Sequence, residues 1–435
     1  MLRKLLFKSL TFLRSTFWIV PGAMVLAGAV AAIALVWLDR HGWSTRWISP
    51  EYLYDGGMTG ARTLLGAVAS SSIAVAGTLF SITIAALSLT AGQMGPRLLR
   101  NFTADRGSQL TLGAFLATFA YSLLVLRSVR SVEEGDFVPH LAMTVDLLMA
   151  GVCVGMLVYF IGHMAGRINV DTVVELVSQD LRSALDALCS EAARQEAVPE
   201  SFWADAETVC DPRRGYVQHL DTAMLAQWAA DRELVIRMLV RPGDYVFPHT
   251  PIALVRPRCE GADQAIRTAT SLGTERTTAH DPAHAIRQLV EVAVRALSRG
   301  INDPNTAIGV LDRLGASLCE ISQHELVQGT YRVAGHIHLV VPAIDYDGLA
   351  DVMFHTIRQE AASSGSVSVL TRMIDVLAAV AFCEQRPPRI ETLRRHAEAI
   401  AADARRTIAN AADLQAFLDR LDEFHRASRI ESRCR

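Results

Sequence analysis

Residues Ser70 to Phe102 read SSSIAVAGTLFSITIAALSLTAGQMGPRLLRNF, an apolar run that keeps a hydroxyl or a glycine at almost every turn. The part from Leu64 to Leu89 is long enough for a bilayer core, which takes about 20 helical residues. At about 100° per residue, Ser70, Ala74, Gly77, Ser81, Ala85, Ser88 and Gly92 fall on one stripe, and every member is small. Ser72, Thr83 and Thr90 lie roughly opposite by the same arithmetic. A helix that is polar on two sides suits lipid poorly, so this span is expected at the centre of a helix bundle. Two roles for the stripe stay open. Small residues let backbones approach where no hydrophobic force joins helices, which makes a packing seam. Alternatively, Ser and Thr hydroxyls replace part of an ion's water shell and border a hydrated path.

Working outward, three further segments reach membrane length: Phe17 to Leu38, Leu110 to Leu126 and Val138 to Ala165. Together they define a four-helix transmembrane domain over residues 1–165. The first follows Arg3, Lys4, Lys8 and Arg14, but its apolar run is too long for a cleaved signal peptide and reads as an uncleaved anchor. Arg97, Arg100 and Arg106, with Arg167 and Arg182 after the fourth span, join these amino-terminal charges on one side. The positive-inside rule therefore puts both termini in the cytoplasm. Trp37, Trp43, Trp47, Tyr52 and Tyr54 are then expected at the outer interface. Gly92 ends the second span and Pro96 opens an interfacial elbow, in which Arg97 and Arg100 face lipid phosphates while Leu98, Leu99 and Phe102 dip inward.

The fourth span carries a second seam, Gly151, Gly155, Gly162 and Gly166, made of successive Gly-x-x-x-Gly units. It runs in the same direction as the second span, so the two seams are expected to pack on each other. Asp146 is the acid well inside a span, which marks it as functional by default. The competing reading pairs it with Arg127 or Tyr121 across the hairpin of spans three and four. His163, near the cytoplasmic end, is either solvated or a proton relay.

Composition excludes several chemistries. Before Gly166 there are 12 Lys+Arg against 8 Asp+Glu, and from there onward 30 against 37, so the second half is acidic and no nucleic-acid partner is expected. Lysine occurs only at Lys4 and Lys8, which removes a P-loop, a Schiff base and a carrier lysine from the later chain. The 7 cysteines include no Cys-x-x-Cys pair and read as reduced thiols. His280 with His284 and Asp281, and His336 with His338, match no zinc spacing, so no metal and no cofactor are expected. No catalytic motif is present, and the chain is not expected to be an enzyme.

After the spans, Val170, Val173, Val177, Leu181, Leu185 and Leu188 mark a connecting amphipathic helix within residues 166–200. From 201 to 258, GYVQHLD, ELVIRMLV, RPGDYVF and TPIALV read as strands around a helical TAMLAQWAADR, a pattern like a small β-barrel-sandwich module of the carrier type without its lysine. Residues 259–435 read as mainly helical. Asn302 or Asp303 caps a helix whose first turn holds Pro304, and YRVAGHIHLVVP reads as a strand. The fold class is thus an α-helical membrane protein with a mixed α+β, mostly helical cytoplasmic domain.

The motifs GQMGPRLLRNFTADRGSQLTLGAFLATFAYSLLVLRSVR, YFIGHMAG, GYVQHLD, RPGDYV and ALSRGINDPNTAIGVLDRLG resemble a bacterial family of predicted integral membrane proteins catalogued as domain of unknown function family 2254. The resemblance covers nearly the whole chain. It implies an inner-membrane protein with four spans and a cytoplasmic domain, and it supplies no catalytic residues. Within that frame the leading expectation is a homo-oligomeric channel- or transporter-like protein whose soluble half responds to an ion or small molecule. The alternative is a non-conducting, membrane-anchored scaffold or sensor.

Overall fold

The computed structural model describes residues 17–41, 57–94, 105–132, 135–167, 170–186, 188–190, 198–274, 282–326 and 329–429. Arg97 and Arg100 with the elbow at Pro96, the aromatic residues Trp43, Trp47, Tyr52 and Tyr54, and His280 with Asp281 lie outside them. The chain divides into two units, one ending at Thr172 and one beginning at Val173.

The first unit contains α1 (Ile19–Arg40), α2 (Met58–Met94), α3 (Arg106–Ser128) and α4 (His140–Arg167), with a hairpin of β1 (Arg130–Val132) and β2 (Gly135–Phe137) joining α3 to α4. All four helices are long and apolar enough to cross a membrane. The second begins earlier than its apolar run, at Met58, where the helix continues through Gly60 and Arg62 finds the carbonyl of Val129 at 3.2 Å.

The centre of this bundle is α3, which corrects the expectation that the second span occupies it. Over its most apolar stretch 56% of α3 is buried, against 22% for α1, α2 and α4 alike. Glycine makes the close approach possible: a Cβ on Gly28 of α1 would stand 2.9 Å from the carbonyl oxygen of Ala117, and one on Gly113 of α3 would stand 2.5 Å from Met24 Sδ. The remaining surface is apolar and outward, with Leu26, Val30 and Ile33 on α1 and Leu148, Val154, Val158 and Ile161 on α4 all exposed in the isolated chain. That is the surface a lipid-facing bundle needs, since only its backbone and interior can hold polar groups.

In the second unit α5 (Val170–Asp186) carries the expected stripe, with Val173, Val177, Leu181 and Leu185 buried. The strands that follow are β3 (Cys189–Ser190), β4 (Glu207–Asp211), β5 (Gly215–Leu220), β6 (Val235–Met238), β7 (Tyr245–Val246), β8 (Thr250–Arg256) and β9 (Thr270–Gly273), interrupted by α6 (Thr222–Ala230) and α7 (Ala262–Ala269). Helices α8 (Pro282–Ala296) and α9 (Pro304–Ile321) precede β10 (Glu325–Leu326), β11 (Thr330–Val333) and β12 (His336–Val340), and α10 (Tyr346–Ser364), α11 (Val367–Cys383), α12 (Pro387–Thr407) and α13 (Ala411–Ala427) complete the described chain.

The strands form a five-stranded sheet in the order β11-β12-β6-β8-β4 and a three-stranded sheet in the order β7-β5-β9. These pairings do not establish a barrel-sandwich. The segment read as a single strand, YRVAGHIHLVVP, is a hairpin: Ala334 and Gly335 have φ of 51° and 88°, the left-handed pair that a tight two-residue turn requires. Its second strand lies parallel to β6, so the sheet is finished by residues far along the chain, and Leu339 and Val341 join the core of Val217, Leu225, Ile236, Ile252 and Val255.

Among the helices, Asp303 caps α9 by accepting from the backbone N–H of Asn305 and Thr306 and from the Thr306 hydroxyl, and these bonds hold its carboxyl below the usual range. The far end of α9 is closed by Arg389, which donates to the carbonyls of Ile321 and His324 while pairing with the buried Glu384 at 3.1 Å. A buried carboxylate held this way is structural: it satisfies helix-end carbonyls through arginine rather than presenting charge to a ligand.

Two predictions follow from these contacts. Gly28→Ala forces a methyl into the Ala117 backbone and costs the bundle about 1–3 kcal/mol, whereas Gly22→Ala on the same helix meets open space and leaves stability unchanged or slightly raised; unfolding in mixed detergent micelles measures both. The second concerns acid. Burial alone would raise the Asp211 carboxyl, but hydrogen bonds from the side chain and backbone of Arg213 outweigh it and hold the group below its ordinary value. A lowered folded pKa stabilises above the ordinary carboxylate range, about pH 4, and that stability is lost as pH falls through the lowered value. Asp211→Asn is therefore less stable than wild type at neutral pH, and the gap narrows in acid when unfolding is followed by circular dichroism.

Candidate functional site

Helix α3 buries polarity at bilayer depth. Ser108, Gln109, Thr111, Thr118, Ser122 and Ser128 are all buried. Back-bonding accounts for most of the hydroxyl protons, because Thr111, Thr118 and Ser122 each donate to the carbonyl four residues earlier at 2.8–2.9 Å. The hydroxyl oxygens remain available to α4, and three of them reach it. Ser108 Oγ lies 3.7 Å from Met164 Sδ, Thr118 Oγ1 lies 3.2 Å from Cys153 Sγ, and Ser122 approaches Asp146 Oδ1 at 2.5 Å. Asp146, Cys153 and Met164 fall on one stripe of α4 at about 100° per residue, so α3 and α4 share a continuous polar line.

Asp146 is fully buried, and its second oxygen, Oδ2, has no hydrogen-bond partner among the described residues. The expected partners lie elsewhere: the Tyr121 hydroxyl donates to the carbonyl of Ala142 at 2.9 Å, and Arg127 is exposed. The partner comes from the expected helix but is Ser122, one position beyond Tyr121 and on the side of α3 that faces the carboxyl.

Each end of the line is closed by an aspartate. Asp39, at the last turn of α1, accepts from the backbone N–H groups of Leu141 and Ala142 at 3.3 and 3.0 Å, so one helix caps the start of another. At the other end Asp105 caps α3, accepting from the backbone and hydroxyl of Ser108, and stands 2.9 Å from Nε2 of His163. Tyr159 stacks on His163 with ring centroids 5.3 Å apart, and a side chain on Gly107 would collide with both rings. His163 is thus a partner of Asp105 rather than a simply solvated ring. The signal for this pair was the Asp-x-x-Ser helix start at Asp105; its link to His163 is a contact between segments 58 residues apart, which spacing does not reveal.

The stripe of α2 sits differently. Ser70, Gly77, Ser81 and Ser88 are exposed in the single chain, and Gly151, Gly155, Gly162 and Gly166 are exposed on α4 with nothing within 4 Å of the positions their Cβ atoms would take. The two seams therefore do not pack on each other within a chain. Ser70 and Ser81 donate to the carbonyls of Gly66 and Gly77 at 2.8 and 2.9 Å, so their protons are satisfied by their own helix. Of the opposite set, Ser72 is buried and Thr83 half-buried, and it is this side that meets the bundle. Arg97 and Arg100 cannot be placed against the line, since they lie outside the described residues.

Elsewhere, His338 Nδ1 lies 2.9 Å from the carbonyl of Leu234 and His336 is exposed at a strand end. Among the described residues no group of three or more His, Cys, Asp or Glu side chains is arranged to hold a metal. Burial pushes the Cys189 thiol up, and it pushes Cys319, beside Cys383, up to about 12, which leaves both poor nucleophiles.

Comparison with known proteins places the chain among predicted membrane proteins. The chain is 29% identical over 418 residues to uncharacterised proteins of Mycobacterium tuberculosis and Mycobacterium bovis, covering 93% of this chain and 79% of theirs. No solved structure matches. The model of a family described as predicted membrane protein, DUF2254, matches residues 14–379, and the chain belongs to that family.

Proposed function

We propose that the protein is a transport-type membrane protein, channel- or transporter-like and homo-oligomeric, in which the polar line between α3 and α4 handles the transported species. The unit from Val173 onward senses an ion or small molecule or gates the bundle. The observation that carries this reading is Asp146, a carboxyl with no exposed surface inside a membrane-length helix and with one oxygen uncommitted among the described residues. Such groups are costly in a bilayer and mark ion pathways and proton relays.

Support for assembly comes from the outward seams. Small residues on α2 and α4 allow the helices of neighbouring chains to approach closely, and single-chain packing leaves both seams uncovered. In this reading the second span borders other subunits rather than the interior of its own bundle. Both termini are cytoplasmic and the membrane is the bacterial inner membrane. The protein performs no covalent catalysis.

A second reading, a non-conducting scaffold or sensor, is favoured by the back-bonded serines of α2, whose protons need no permeant partner. Purified protein in liposomes separates the two. Transport predicts flux of at least one ion across a panel of protons, alkali cations and halides. An intact oligomer, verified by mass, that passes none of them at several voltages establishes the scaffold instead. Gly155→Leu is expected to lower the mass of the detergent-solubilised complex, while Leu148→Ala on the exposed face of α4 leaves it unchanged.

A further inference from the structure

The species that meets Asp146 can be narrowed by the chemistry around it. A hard cation needs about six oxygen ligands. The described side chains here offer the carboxyl, the Ser122 and Thr118 hydroxyls and, next along the line, a cysteine sulfur, which is a poor ligand for such an ion. Among the described residues no arginine, lysine or histidine is paired with Asp146, whose Oδ1 meets Ser122 and whose Oδ2 meets no partner. The groups around it are Tyr121 and Ser122 from α3, Cys153 on its own helix and, through Tyr121, Asp39 at the end of α1; Arg62 of α2 is engaged by the carbonyl of Val129. Every ionisable neighbour among Tyr121, Cys153 and Asp39 is an acid. Tyr121 and Cys153 are neutral in their ordinary forms, so nothing described around Asp146 supplies the positive charge that a buried carboxylate in a bilayer requires.

We propose that Asp146 is a reversible proton-binding site, with the proton carried on Oδ2 and Ser122 fixing Oδ1, and that the protein's transport is proton transport or is coupled to it. This rests on the transport reading for its second half only; proton binding by itself does not. The step balances simply: a hydronium reaching the site gives its proton to Oδ2 and leaves as water, and the reverse step hands the proton to a water on the other side. Ser122 is a positioning residue. Its hydroxyl lies 2.8 Å from the carbonyl of Thr118 and 2.5 Å from Oδ1, and its one proton goes to one of them at a time; when it turns to Oδ1, Oδ2 is the oxygen left for the carboxyl proton.

The test uses the full chain in liposomes with two readouts. The first is infrared difference spectroscopy across a pH titration, read at the carboxylic-acid carbonyl stretch. Wild type is expected to show a titrating band that is missing in Asp146→Asn and that moves in frequency in Ser122→Ala. The second is proton uptake driven by an imposed potassium diffusion potential, expected to fall to the leak of protein-free vesicles in Asp146→Asn, to be partly restored in Asp146→Glu and to be unaltered in Leu148→Ala. Matching oligomer mass and helical content confirm that the variants fold. Absence of a titrating band that depends on Asp146 overturns the proton site. A band that depends on Asp146 with no proton or ion flux leaves the site standing and removes the transport reading. Alkali-cation flux indifferent to Asp146→Asn, with no such band, keeps transport and removes this inference.

Discussion

Polar groups placed at bilayer depth must be satisfied within the protein, and the bundle is organised by how α3 meets that demand. At a water-exposed surface a serine or threonine that loses its partner turns to solvent; in hydrocarbon there is no solvent to take over. Helix α3 holds a buried hydroxyl at Ser108, Thr111, Thr118, Ser122 and Ser128. Each proton is returned to the helix or passed to α4, and the helix that receives them is set in place at its start by Asp39 from α1. The tight glycine contacts of Gly28 and Gly113 then bring α1 against α3. Sheltering one polar helix thus fixes the positions of two others.

That logic explains why the second span misleads. Its hydroxyls and glycines are more numerous to the eye than those of α3, and counted by residue type they argue for a central position. Ser70, Ser71, Thr78 and Ser81 nevertheless close their own hydrogen bonds to carbonyls one turn back, so the helix tolerates an outward polar face. Residue type alone does not separate a self-satisfied serine from one that needs a neighbour. The distinction lies in whether an acceptor stands across the helix pair, as Asp146 does for Ser122.

Much of the architecture was legible nonetheless. The apolar runs located four membrane-length helices to within a few residues, save the early start of α2, and the three- and four-residue spacing of Val173 to Leu185 marked α5. Asp303 and Pro304 announced the start of α9 through cap chemistry. What was hidden depends on distance along the chain. The pairing of β12 with β6 joins residues more than a hundred apart, the turn at Ala334–Gly335 needed backbone angles to split one apparent strand into two, and the Asp105–His163 pair forms only when α3 and α4 are side by side. Asp146 was found because an acid in an apolar run is conspicuous; its partner was not, because Tyr121 and Ser122 differ only in which side of α3 they occupy.

The central claim is that α3, and not α2, lies along the polar side of α4. Native Cys153 provides the most direct measurement. Thiol oxidation of the membrane-embedded protein, followed by peptide mapping, is expected to yield an intrachain disulfide to Cys153 when the partner helix carries Thr118→Cys, since the two side chains already lie 3.2 Å apart, and none when it carries Ser81→Cys. An intrachain bond from Ser81→Cys together with none from Thr118→Cys would contradict the account.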